Sequence, residues 1–256
     1  MMLIFVGLGL CSHKGLPLRG LELARDSDWV YMEHYTSLLP ELDLRELEGW
    51  VGKPVKVVDR QTLEENPEEI LERARKGKVV LLVPGDSMVA TTHVDLRLRA
   101  EKRGIPTLVV PSSSILSAAP GLTGLQSYKF GRSATIPFRD HPSTVPYDTL
   151  VENSARGLHT LLLLDLRAEE GRYMTAGEGM EVMLELEARM GKGVFTPETL
   201  VVVLARAGCP DGKVRGGRVK KLREEDFGPP PHALVVPGKL HFLEEEALRI
   251  LAGAEL

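Results

Sequence analysis

The residues with the clearest capacity for chemistry stand where short apolar runs stop. Gly7-Leu-Gly-Leu10 follows one such run, Pro84-Gly-Asp-Ser-Met-Val-Ala-Thr-Thr-His93 a second, and Pro111-Ser-Ser-Ser-Ile-Leu-Ser117 a third. Leu164-Asp165 closes a leucine-rich run, and Ala205-Arg-Ala-Gly-Cys-Pro210 follows a valine-rich one. Ligands of open α/β sheets bind outside the carboxyl ends of the strands, so these five places form the candidate site. Gly7 and Gly9 suit a backbone that passes close to a ligand, where a side chain would obstruct it; a tight structural turn is the plainer alternative. The dinucleotide fingerprint is incomplete, because Ser12 stands where it needs a third Gly or Ala, although Glu33 lies where a ribose-binding acid would sit.

Asp86 can accept hydrogen bonds from ligand hydroxyls or amines, or it can cap the helix that begins nearby. Thr91, Thr92 and His93 are expected in the first turn of that helix. No phosphate-binding G-x-x-x-x-G-K-[ST] and no nucleophile elbow occurs. The seven histidines show neither i, i+4 pairing nor a nearby ligand pair, so no metal site is expected. Cys11 and Cys209 are too few for a disulfide framework and lack metal-type spacing, which fits a reducing, cytoplasmic compartment. The six basic residues between 213 and 223 read as a solvated loop and strand edge, with a macromolecular docking patch as the minority reading.

Alternating strands and helices must position these loops. The pattern gives strands at 3–6, 29–32, 55–58, 79–83 and 107–110, with helices at 16–24, 44–50, 66–76 and 91–103 between them. It begins again with a helix at 113–119, a strand at 133–137, a helix at 149–156, a strand at 160–165 and a long helix at 175–190. Strands at 199–206 and 232–236 and a helix at 243–252 follow. The expected fold class is therefore α/β, in two α/β domains spanning 1–110 and 111–256.

Composition narrows the function classes. The chain has 256 residues, 43% hydrophobic and 27% charged, with a formal net charge of −4. Division at residue 110 leaves each half with two more acidic than basic residues, so no basic face suggests a general nucleic-acid binder. No apolar run approaches the roughly 18 residues of a membrane span, and the N-terminus lacks a charged leader.

Taken in order, the loops resemble the diphthine synthase family, a branch of the tetrapyrrole-methylase-like methyltransferases. The resemblance rests on Phe5-Val-Gly-Leu-Gly-Leu10, Glu33-His-Tyr-Thr-Ser37, the segment from Pro84 to His93, Gly124-Leu-Gln-Ser-Tyr-Lys-Phe-Gly131, Arg156-Gly-Leu-His-Thr160 and Val236-Pro-Gly-Lys-Leu-His241. Tetrapyrrole methylases share only the glycine loop, the Gly-Asp loop and the Ala-Arg-Ala-Gly type of loop, and the remaining blocks point to the diphthine branch. The resemblance implies two α/β domains with S-adenosylmethionine in the cleft between them, in a homodimer. It marks Leu10, Asp86, Val89, Ser114, Ile115, Leu164, Ala207 and His232 as cofactor contacts. It further implies methylation of the amino group of a modified histidine on translation elongation factor 2, with Tyr128-Lys129-Phe130 and Tyr35-Thr36 as candidate walls of the acceptor pocket. The sequence departs from the family at Ser87, where most members have Pro, and in the short segment 139–146. A precorrin or uroporphyrinogen methyltransferase is the near alternative, and a nicotinamide-dependent oxidoreductase the distant one.

Overall fold

The computed structural model describes residues 1–256 and divides into two compact units, Met1–Ile115 and Leu116–Leu256. The first unit alternates β1 (Met2–Gly7), α1 (Leu18–Arg25), β2 (Trp29–Glu33), α2 (Leu44–Val51), β3 (Val55–Val58), α3 (Glu68–Lys76), β4 (Lys78–Val83), α4 (His93–Lys102) and β5 (Thr107–Val110). Its five strands form one parallel sheet in the order β3-β2-β4-β1-β5. Residues 3–6 of β1 and 79–82 of β4 are fully buried, because helices cover both faces of a parallel sheet. That is why these two strands read as unbroken apolar runs.

The chain leaves β1 toward β2 and leaves β4 toward β5, on opposite sides, so the sheet has its topological switch point between β4 and β1. The loops after β4, β1 and β5 consequently emerge side by side. The division between the units falls after Ile115 rather than after 110. The Ser112 amide donates to Asp86 Oδ2 at 3.0 Å and the Ser112 hydroxyl to the Gly15 carbonyl at 3.1 Å, which keeps residues 111–114 with the first unit.

The second unit takes up the chain within α5 (Ile115–Thr123). It continues through β6 (Ala134–Ile136), α6 (Val145–Ala155), β7 (Thr160–Leu164), the small hairpin β8 (Leu166–Arg167) and β9 (Arg172–Tyr173), and α7 (Ala176–Met190). It closes with β10 (Leu200–Ala205), β11 (Lys213–Arg218), α8 (Val219–Leu222), β12 (His232–Val236) and α9 (Phe242–Leu251). The sheet order is β11-β10-β12-β7-β6, antiparallel except for the parallel pair β6-β7. A core of Ile136, Tyr147, Leu162, Met180, Met183, Phe195 and Val203 fills this unit. Helix α7 is well specified locally: Thr175 and Glu178 form a reciprocal capping box, and Gly191 ends the helix in the left-handed region at φ +66°.

Several elements differ from expectation, α6 and the basic stretch among them. Helix α6 starts at Val145 rather than 149, because Pro146 occupies the first turn, where its missing N–H has no partner to lose. The basic stretch contains the edge strand β11, whose two glycines have weak strand propensity but allow the C-terminal residues to pack: a Cβ on Gly216 would lie 2.8 Å from that of Ala254. Its charges meet local partners, Arg215 with Glu225, Lys220 with Glu198 and Lys221 with Glu255. No helix is long and apolar enough to cross a membrane.

Candidate functional site

In the first unit the site is built on three adjacent loops at the switch point. Gly9 and Gly85 exchange two backbone hydrogen bonds of 3.0 and 2.8 Å, tying the glycine loop to the Gly-Asp loop. Both lie in the left-handed region, at φ +73° and +70°, which favours glycine. Gly7 is needed for space instead: a Cβ there would sit 2.5 Å from the Gly85 carbonyl oxygen and 2.7 Å from Ser112 Cβ.

Asp86 braces this arrangement. Its Oδ1 accepts from the Met88 amide at 2.9 Å and its Oδ2 from the Ser112 amide at 3.0 Å, so one carboxylate joins the loops after β4 and β5. It does not cap α4, which begins at His93 with Thr92 at the N-cap. Thr91 and Thr92 therefore precede the helix rather than lying in its first turn. Leu10, Asp86, Val89 and Ile115 are half-buried and Ser114 is buried, so all five first-unit candidates lie on or beside these braced loops.

The Gly-Asp loop is also held from behind. His93 Nδ1 lies 3.3 Å from the Ser87 carbonyl and 2.8 Å from the Thr91 hydroxyl. A carbonyl only accepts, so Nδ1 carries the proton and Nε2 presents a lone pair, 3.5 Å from the Tyr35 hydroxyl and 3.9 Å from Glu33 Oε1. Burial pushes the His93 imidazole below the usual histidine range. Burial likewise pushes the Glu33 carboxyl up to about 7, despite bonds from the Thr36 hydroxyl and the Thr36 and Tyr35 amides that oppose the shift. Glu33 is fully buried, with its carboxylate turned onto its own loop, so it does not present the surface acid that a ribose would require. Ser87, the residue at which the sequence departs from the family it resembles, is fully buried and its hydroxyl has no partner.

In the second unit Leu164 ends β7, Ala207 lies just beyond β10, and His232 begins β12. The antiparallel register places them at one edge of the sheet, since Ala205 pairs with His232 and Ala233 with Leu163. His232 Nδ1 accepts from the Ala176 amide at 3.1 Å, at the first residue of α7. That bond places the ring proton on Nε2, which is buried and unpaired. Burial also holds this imidazole below the usual range and hence neutral. An orphaned donor at the same end of the sheet as the small residue Ala207 and the apolar Leu164 suits a ligand with a polar acceptor and an apolar face.

The blocks at 124–131, 156–160 and 236–241 meet around a residue that sequence reasoning missed. Glu244 is fully buried and accepts from the Gln126 amide at 2.9 Å, the His241 amide at 2.8 Å, His159 Nε2 at 2.9 Å and the Lys129 ammonium. His159 Nδ1 in turn accepts from the Gly238 amide at 2.9 Å. The available signal was the capping-box spacing, with His241 at the N-cap of α9 and Glu244 three residues on. Lys129 and Phe130 are thus committed to this knot, the latter stacked edge-on against His159 at 5.3 Å, while Tyr128 remains 78% exposed.

Comparison with known proteins accounts for the whole chain. The family model described as Tetrapyrrole (Corrin/Porphyrin) Methylases matches residues 2–223. The diphthine synthase of Methanocella arvoryzae is 51% identical, with 100% of both chains covered. That of Methanothermobacter thermautotrophicus is 48% identical over 99% of this chain and 96% of its own. A crystal structure of diphthine synthase superposes with a TM-score of 0.91 at 42% identity, covering 100% of this chain and 97% of the other.

Proposed function

The chain belongs to the diphthine synthase family within the tetrapyrrole methylases and is a methyltransferase of diphthamide biosynthesis, and from that premise we propose that it methylates the amino group of the modified histidine on translation elongation factor 2. Full-length identity to diphthine synthases carries this reading. S-adenosylmethionine supplies, when bound, a methyl group already activated on a sulfonium. The residues therefore need not activate the donor; they must orient the amine, exclude water and hold the cofactor. This is consistent with loops built from braces and backbone rather than from an exposed acid-base pair.

Leu10, Asp86, Val89, Ser114, Ile115, Leu164, Ala207 and His232 are the residues proposed to hold the cofactor. Asp86 acts by fixing the loops after β4 and β5, and the Nε2–H of His232 donates to a cofactor acceptor. The protein is proposed to work in the cytoplasm as a homodimer. Calorimetric titration with S-adenosylhomocysteine and with a nicotinamide dinucleotide tests the cofactor. Binding of the first alone is expected, and binding of the dinucleotide alone would overturn the reading. The variant Asp86→Ala should weaken S-adenosylhomocysteine binding by about 1 to 3 kcal/mol, the range for a lost buried hydrogen-bond partner.

A further inference from the structure

An amine that enters the site protonated must lose a proton before its lone pair can form the new N–C bond, and each further methylation repeats the requirement. Glu33 is a buried titratable group of the first unit that the cofactor site does not use. It ends β2, the neighbour of β4, and so stands at the ligand edge of the sheet one strand from the Asp86 loop. Oε2 accepts from the Tyr35 amide at 2.9 Å and the Thr36 amide at 3.1 Å, while Oε1 takes the hydrogen of the Thr36 hydroxyl.

Thr36 is half-buried, whereas Glu33 has no exposed surface. A threonine hydroxyl has a single hydrogen, and this one is given to Glu33. The Thr36 oxygen therefore has only lone pairs to offer any other partner, which suits an ammonium group. The remaining charged and titratable groups around the carboxylate are His93 from α4, Tyr35 from its own loop, and Arg60 and Glu64 from the turn after β3. Arg60 stacks over the Tyr35 ring at 5.2 Å, and Glu64 is held by the Thr92 hydroxyl at 2.7 Å.

We infer that Thr36 and Glu33 together accept the proton that the substrate ammonium loses, Glu33 acting through the Thr36 hydroxyl. The N–H bond breaks and leaves its electron pair on nitrogen. The proton bonds to Thr36 Oγ1, and the original hydroxyl hydrogen passes to Glu33 Oε1, leaving a neutral acid. Before the next methylation that proton returns to solvent, with His93 Nε2, 3.9 Å from Oε1, as the neighbouring base. The inference rests on amine methylation as the reaction. A carboxyl pushed up to about 7 lies where a base works best near neutrality.

The test is single-turnover methyl transfer to elongation factor 2 carrying the unmethylated precursor, followed as a function of pH, beside S-adenosylhomocysteine titration and proton titration of each variant. The wild-type rate should rise through an ionisation near 7. In Glu33→Gln the rate at neutral pH should fall about 100-fold, the low end for loss of a general base, and should recover as pH approaches the pKa of the free amine. S-adenosylhomocysteine affinity should remain, and the group titrating near 7 should vanish from the proton titration. Thr36→Val, which keeps the shape of the side chain, should show the same change in pH profile. A uniform loss at every pH, or a wild-type rate in Thr36→Val, would overturn the inference. Wild-type protein that binds S-adenosylhomocysteine yet transfers nothing to the precursor would instead overturn the functional reading beneath it.

Discussion

Replacement of Glu244 by Gln tests the knot that joins the blocks at 124–131, 156–160 and 236–241. The carboxylate is fully buried, with two backbone amides, His159 and Lys129 as donors, and its bonds outweigh the cost of burial, holding it at about 2 instead of 4.5. At about 1.36 kcal/mol per pH unit, this corresponds to about 3 kcal/mol of stability at neutral pH. Because the folded value lies below the unfolded one, that stability is fully present above 4.5 and is lost as pH falls toward 2. The variant Glu244→Gln should therefore be about 3 kcal/mol less stable than wild type at neutral pH, a fall in Tm of about 6 to 12 °C, and the gap should close on acidification. Both tryptophans, Trp29 and Trp50, lie in the first unit, so the second must be followed by hydrogen exchange in its strands or by circular dichroism. A gap under about 1 kcal/mol at neutral pH, the worth of a surface ion pair, would mean that the buried carboxylate does not hold this knot together. So would a gap that does not change on acidification.

Three further outcomes follow from the first unit. Glu33 titrates at about 7, above its unfolded value of 4.5, so its contribution is full below 4.5 and lost as pH rises to 7. Between pH 4.5 and 7, thermal melts of Glu33→Gln should gain on wild type by about 3 kcal/mol, and a constant difference would contradict the shift. Ser87→Ala removes a buried hydroxyl without a partner and should raise stability by about 1 kcal/mol in urea unfolding; a loss would mean that the hydroxyl is bonded in solution. Gly7→Ala forces a methyl group to 2.5 Å from the Gly85 carbonyl and should cost about 1 to 3 kcal/mol, read by tryptophan fluorescence, with weaker S-adenosylhomocysteine binding.

Much of this was legible where local and tertiary preferences agree. The apolar runs of β1 and β4 announce strands buried on both faces, and each is followed by the loop that braces the candidate site. The capping box of α7 fixes its start within the sequence itself. The basic stretch was legible only as a loop and strand edge; that Lys213–Arg218 is strand throughout was hidden, because Gly216 and Gly217 argue against one and only packing against Ala254 and Leu222 explains them. Asp86 could be read as a ligand group or a helix cap, but its role as a brace depends on Ser112, 26 residues away. The roles of Glu33 and Glu244 were hidden for the same reason. Their burial and their partners from other segments are tertiary facts, and a glutamate alone reads as surface.

Mass spectrometry of elongation factor 2 carrying the unmethylated precursor, after incubation with the protein and S-adenosylmethionine, decides whether the protein is the amine methyltransferase proposed. Mass gains in whole methyl units are expected, located on the modified histidine and absent when S-adenosylmethionine is omitted. An unchanged precursor, alongside methylation of a precorrin or uroporphyrinogen by the same preparation, would contradict the proposed function.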